Sequence, residues 1–116
     1  MSKPLGPYSP IVRAGDFLIV SGQGGMADGV VVSGGVAGET TQAIANIAAL
    51  LEAEGASLTD VVKTTCFLTD LDNFATFNTA YSDALGGHRP SRSTVEVSAL
   101  PAGFLVEVEA WAYVGG

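Results

Sequence analysis

Leu105-Val106-Glu107-Val108-Glu109-Ala110-Trp111-Ala112-Tyr113-Val114 alternates without interruption. Successive side chains of a strand point to opposite faces, so Val106, Val108, Ala110 and Ala112 make one face of small apolar groups, suited to lie under helices. Leu105, Glu107, Glu109, Trp111 and Tyr113 then share the other face. A face that simply met water would not carry Leu, Trp and Tyr, so it needs a cover.

The segments upstream predict two helices. From Glu39 to Glu54, Ile44, Ile47, Ala48 and Leu51 form one stripe, acids stand near the start, and Gly55 marks the stop. A second helix follows a cap at Asp70 or Asp72, carries the stripe Phe74, Phe77, Tyr81 and Leu85, and ends at Gly86-Gly87. Between them, Val61 to Thr69 is β-branched and alternating, with Val62, Thr64, Cys66 and Leu68 on one face. Strand Ser93 to Ser98 and a turn at Leu100-Pro-Ala-Gly103 lead into the last strand. Near the start, Asp16 to Ser21 and Gly29 to Ser33 read as a hairpin around a glycine-rich turn. The predicted order is ββαβαββ, an α+β fold in a single domain over residues 1–116. With both helices expected on one side of the sheet, nothing in the chain covers the Trp111 face. A partner subunit is the economical cover, and the pattern predicts a homo-oligomer.

Composition narrows the function. Of 116 residues, 47% are apolar and only 15% charged, with 15 glycines and 5 prolines, as in a turn-rich globular domain. Twelve acidic against five basic side chains give a net charge of −7. Five cations cannot line a groove for nucleic acid, so no nucleic-acid partner is expected. The start, Met1-Ser-Lys-Pro-Leu-Gly-Pro-Tyr8, is broken by prolines and reads as neither a leader nor a membrane span. A cytoplasmic protein is expected. One cysteine and one histidine cannot close a soft-ligand metal site, so no metal is expected.

Positive charge is nonetheless concentrated: His88, Arg89 and Arg92 fall within five residues. Arg92 follows the proline-restricted Pro90-Ser91 where a strand begins, and its planar fork suits a carboxylate. An internal ion pair to Glu96, Glu107 or Glu109 is the plainer alternative. Glu107 and Glu109 share a strand face, where a carboxylate could orient a water or take its proton; the alternative is that both only solvate a rim. Tyr8, after Gly6-Pro7, reads as a packing residue that could fold over a pocket. Cys66 reads as an inert core thiol, and loop residue His88 as exposed. Ser21-Gly-Gln-Gly-Gly25 lacks the lysine of a phosphate loop and leads to a hairpin rather than a helix.

Several segments together resemble the reactive intermediate deaminase, or YjgF-like, family. They are Gly6-Pro-Tyr8, Val20-Ser-Gly-Gln23, Glu39-Thr-Thr-Gln42 with Asn46-Ile47, Gly55-Ala-Ser-Leu-Thr-Asp-Val-Val-Lys63, and Asp72-Asn-Phe74 with Asn78 and Tyr81. Pro90-Ser-Arg-Ser93, Leu100-Pro101 and Val106-Glu-Val-Glu-Ala110 complete the series. The resemblance implies a chorismate-mutase-like fold, a homotrimeric barrel and active sites in the clefts between subunits. It further implies hydrolysis of 2-imino or 2-enamino acids to 2-keto acids and ammonia without a cofactor. By that likeness Arg92 holds the substrate carboxylate, Glu107 positions water, Tyr8 stands near the pocket mouth, and Ser93 and the backbone of Thr94 face the ligand. A protein that binds a small carboxylate in the same cleft without turnover is the alternative. The loop from Leu85 to Pro90 is shorter than in many family members and brings in Arg89, and Thr94 stands where cysteine is frequent.

Overall fold

The computed structural model describes residues 4–116; the reading of Met1 to Lys3 as part of a proline-broken start lies outside them. Seven main segments build the sheet and its cover. Strands β1 (Ile11–Ala14) and β2 (Phe17–Gly24) are followed by the short strands β3 (Met26–Ala27) and β4 (Val30–Val31), then helix α1 (Gly35–Ala53). Strand β5 (Val61–Leu68), helix α2 (Phe74–Ala84), and strands β6 (Ser91–Glu96) and β7 (Val106–Tyr113) complete the chain. The main sheet runs β1-β2-β7-β5-β6. It is mixed: β5 and β6 are parallel, joined by the α2 crossover, while the other neighbours are antiparallel.

The alternation of β7 survives intact. Val106, Val108, Ala110 and Ala112 are all fully buried, in one core with Leu18, Val20, Ile44, Ile47, Leu51, Leu68 and Phe77. Both helices contribute to this core, so both lie on one side of the sheet. On the other side Trp111 and Tyr113 remain 42% and 45% exposed and pack against Phe17, at ring separations of 5.8 and 5.3 Å.

The N-terminal hairpin differs from the expected one. The partner of Phe17–Gly24 is Ile11–Ala14, turned back by Gly15 at φ 59°, whereas Val30–Val31 pairs only with Met26–Ala27. The glycines after Ser21 mark close approach rather than a turn. A Cβ on Gly25 would strike the backbone of Glu39, so glycine lets β2 meet α1. Asn46 reinforces that meeting, its Nδ2 donating to the carbonyls of Gly24 and Met26 at 3.1 and 3.0 Å.

Other boundaries shift for identifiable reasons. Helix α1 begins at Gly35, four residues before Glu39, because Val36 is drawn into the core despite weak helix formers around it. Glu39 is therefore no helix-end acid: buried, it accepts the Leu105 N–H at 2.8 Å and fixes the start of β7. A bulge between Val61 and Lys63 turns Val62 outward, leaving Thr64, Cys66 and Leu68 as the buried face of β5. Asp70 caps the 3₁₀ turn Leu71–Asn73, accepting the Asp72 N–H at 2.9 Å, and α2 starts beyond it. Strand β6 starts two residues earlier than expected, so Arg92 lies inside it. Gly25→Ala is expected to cost about 1–3 kcal/mol by overpacking, read as a lower urea midpoint at fixed protein concentration; an unchanged midpoint would contradict the close approach.

Candidate active site

Arg92 is placed by β6 and surrounded by α2. Its register partner is Thr64 and that of Thr94 is Cys66, so Arg92 and Thr94 share the helix side of the sheet. The half-buried Arg92 guanidinium lies 4.9 Å from the ring centre of Tyr81, 5.3 Å from Phe77 and 5.6 Å from Phe74. Phe74, expected in the core stripe, is 41% exposed and instead forms one wall of this aromatic cage. Tyr81 is held in turn by a buried 2.7 Å hydrogen bond with the Thr64 hydroxyl. Burial pushes the Tyr81 phenol above its ordinary pKa, so it stays neutral beneath the cation.

The expected alternative, an ion pair, is not formed. Among the described residues Arg92 has rings as partners and no carboxylate. Glu96 is occupied elsewhere, accepting the Leu71 N–H at 2.8 Å. Rings stabilise a cation through their faces but accept none of the in-plane hydrogen bonds that a guanidinium can donate.

A cavity of about 440 Å³ opens beside Arg92, lined by Asn78, Tyr81, Ser82, His88, Arg89 and Pro90. Asn78 Oδ1 and Thr94 Oγ1 are buried without hydrogen-bond partners. Asn78 lines the cavity, while its Oδ1 lies buried behind that surface as an acceptor without a donor. Asn78 carries no periodic signal; it stands among the residues of the family resemblance without a role. His88 is not the exposed loop residue expected: half-buried, its Nε2 lies 2.7 Å from the Val61 carbonyl, to which it donates.

The backbone also contributes. The Val97 N–H donates to the Leu68 carbonyl at 2.8 Å, which sets alternate residues of β6 toward β5. Arg92 and Thr94 therefore turn their backbone groups to the free edge of the sheet. The Ser93 side chain faces the opposite way, its Oγ accepting from Lys63 Nζ at 3.3 Å.

Glu107 stands on the reverse face of the sheet. It lines a separate cavity of about 330 Å³ with Tyr8, Ser21, Gly22, Gln23, Phe104 and Glu109. Gly22 makes room for it: a Cβ there would overlap the Glu107 carboxylate. Burial pushes the Glu107 carboxyl above the usual carboxylate range, and the neighbouring negative charge of Glu109 pushes it further. Tyr8 does fold over this cavity, its hydroxyl accepting the Leu5 N–H at 3.1 Å. Within one chain, then, Tyr8 and Glu107 come together, Arg92 and Thr94 come together, and the sheet separates the two groups.

One further candidate is settled by its surroundings. Cys66 is fully buried and its thiol is pushed up to about 11, chiefly by burial, so it is a poor nucleophile at neutral pH. Among the described residues no cluster of three or more His, Cys, Asp or Glu could hold a metal ion, and no helix is long and apolar enough to cross a membrane.

The chain is similar to known proteins along nearly its whole length. The family model described as Endoribonuclease L-PSP matches residues 1–114. A RutC family protein from Pyrococcus horikoshii is 45% identical, over 96% of this chain and 90% of that one. The human 2-iminobutanoate/2-iminopropanoate deaminase is 42% identical, over 96% of this chain and 82% of its own. The crystal structure of E. coli TdcF with bound serine superposes with a TM-score of 0.90 at 33% identity, covering 97% of this chain and 91% of that one. With the fold, the arginine strand and these relatives in agreement, the chain belongs to the YjgF/RidA family, the one described as Endoribonuclease L-PSP.

Proposed function

We propose that this protein hydrolyses 2-imino acids to 2-keto acids and ammonia, in sites formed where copies of the chain meet. The observation that carries the reading is Arg92: a half-buried guanidinium walled by three rings, with no carboxylate of its own, beside an open cavity. Such a group is a receptor for a small carboxylate, which it grips through two parallel hydrogen bonds. The likeness to the human imine deaminase supports the substrate class.

The chemistry asks for one more group. Water must bond to the imine carbon and lose a proton; the carbinolamine then breaks its C–N bond, and nitrogen leaves as ammonia while the carbonyl forms. Glu107, with its raised proton affinity, is suited to take that proton and return it to the leaving nitrogen. Thr94 offers backbone groups at the free edge. Fixing the carboxylate and aligning one water supplies most of the rate through proximity and orientation, since a protonated imine is already electrophilic.

Arg92 and Glu107 of one chain lie on opposite faces, so the complete site takes Arg92 from one copy and Tyr8 with Glu107 from the next. An interface that joins two different patches is head-to-tail, and it closes into a ring when the rotation between copies divides a full turn. A ring of three, with the Trp111 face inside, fits both the exposed aromatics and the family resemblance.

Arg92→Ala is expected to lower kcat/KM for the imine of alanine at least about 100-fold and Glu107→Gln by about 10²–10⁴-fold, in an assay coupled to an amino-acid oxidase. Near-normal rates for either variant would overturn its role. Because Glu109 holds the Glu107 pKa up, Glu109→Gln is expected to move the acid limb of the pH–rate profile to lower pH; a limb that stays put or rises would contradict the coupling.

A further inference from the structure

The Arg92 cavity holds more positive charge than one carboxylate requires. Two permanent cations, Arg89 and Arg92, line it beside His88, and no acidic side chain does. That concentration stands out on a chain of net charge −7, where these three are half of the side chains able to be cationic. Among the described residues Arg89 has no carboxylate partner. The cavity, at about 440 Å³, is also roomy for the imine of alanine.

The local fold fixes the backbone from which this second, exposed arginine projects. Gly86 and Gly87 adopt φ of 61° and 87°, so the chain leaves α2 in a tight reversal. His88 then ties the loop to β5 through the Val61 carbonyl, and Pro90 restricts the approach to Arg92. Since Nε2 of His88 donates to that carbonyl, its proton is fixed there and the imidazole acts as a tether. Arg89 sits between the tether and the proline, on the rim of the cavity.

We infer that the site prefers imino acids bearing a second anionic group, the imines of dicarboxylic amino acids, with Arg92 taking the carboxylate next to the imine and Arg89 the distal one. This rests on the deaminase reading of the Arg92 cavity and names its substrate class. A reaction that supplies such a substrate is the oxidation or dehydrogenation of an acidic amino acid to its 2-imine. Hydrolysis then yields a 2-keto dicarboxylate and ammonia.

The test compares imines made in situ from aspartate and glutamate with that from alanine, as a ratio of kcat/KM values. The wild-type ratio is expected to exceed one, to fall about tenfold or more in Arg89→Ala, to survive largely in Arg89→Lys and to fall further in Arg89→Glu. A ratio at or below one in the wild type, or one indifferent to Arg89→Ala, would overturn the inference. Binding separates this from failure of the deaminase reading. If no imine is turned over, 2-oxoglutarate is expected to bind more tightly than 2-oxobutanoate by calorimetry, with an advantage lost in Arg89→Ala. Equal affinities would overturn the second anion site itself. Circular dichroism and thermal melts of each variant identify any loss that comes from misfolding.

Discussion

A guanidinium partly removed from water and given aromatic rings instead of a carboxylate is the constraint around which this structure is organised. Desolvating a permanent charge is costly unless it is paired. Stacking on Phe74, Phe77 and Tyr81 offsets part of that cost, at about 0.5–2 kcal/mol for a cation over a ring, but leaves the N–H fork with hydrogen bonds to give. In the proposed reading, that remaining deficit is met by a small anion with two oxygens. The surrounding structure maintains that deficit. Thr64 pins Tyr81, Glu96 is diverted to the Leu71 N–H, and the Gly86–Pro90 loop brings cations rather than acids to the cavity.

The second organising fact is that the sheet keeps its cation and its proton acceptor apart. Arg92 lies on the helix side at the β6 edge, and Glu107 on the open side beneath Tyr8. In the proposed reading a single copy thus carries two half-sites, neither complete by itself. In the proposed ring the same contact that covers Trp111 and Tyr113 also joins the halves, so burial of the apolar face and assembly of the chemistry are one event. This arrangement explains why the open face mixes Glu107 and Glu109 with large aromatics on a single strand.

Much of this was legible in the residues. The unbroken alternation of β7 and the apolar stripes of α1 and α2 gave the α+β architecture, because period-2 and period-3.6 patterns are imposed by burial itself. What misled were residues whose role depends on distant neighbours. The glycines at 22, 24 and 25 resemble a turn, yet each makes room for something far away in sequence: the Glu107 carboxylate, the Phe104 ring and the α1 backbone. Glu39 resembles a helix-end acid but serves β7 from within the core. At the proposed site, residue type and strand position marked Arg92 and Glu107 only as candidates, each with a plainer alternative, and the family resemblance supplied their roles. That they occupy opposite faces depends on β6 pairing parallel to β5, a register with no local signature, and Asn78 stood in the family resemblance without any sign of its buried, unpartnered oxygen.

Coexpression of Arg92→Ala chains with Glu107→Gln chains in equal amounts tests the shared site most directly. Each variant alone is inactive, yet in mixed rings some junctions combine an intact Arg92 from one chain with an intact Glu107 from its neighbour. Random assembly of a head-to-tail ring is expected to restore about a quarter of wild-type deaminase activity. Mixed assemblies, confirmed by mass spectrometry to contain both chains, that remained as inactive as either variant would contradict the account.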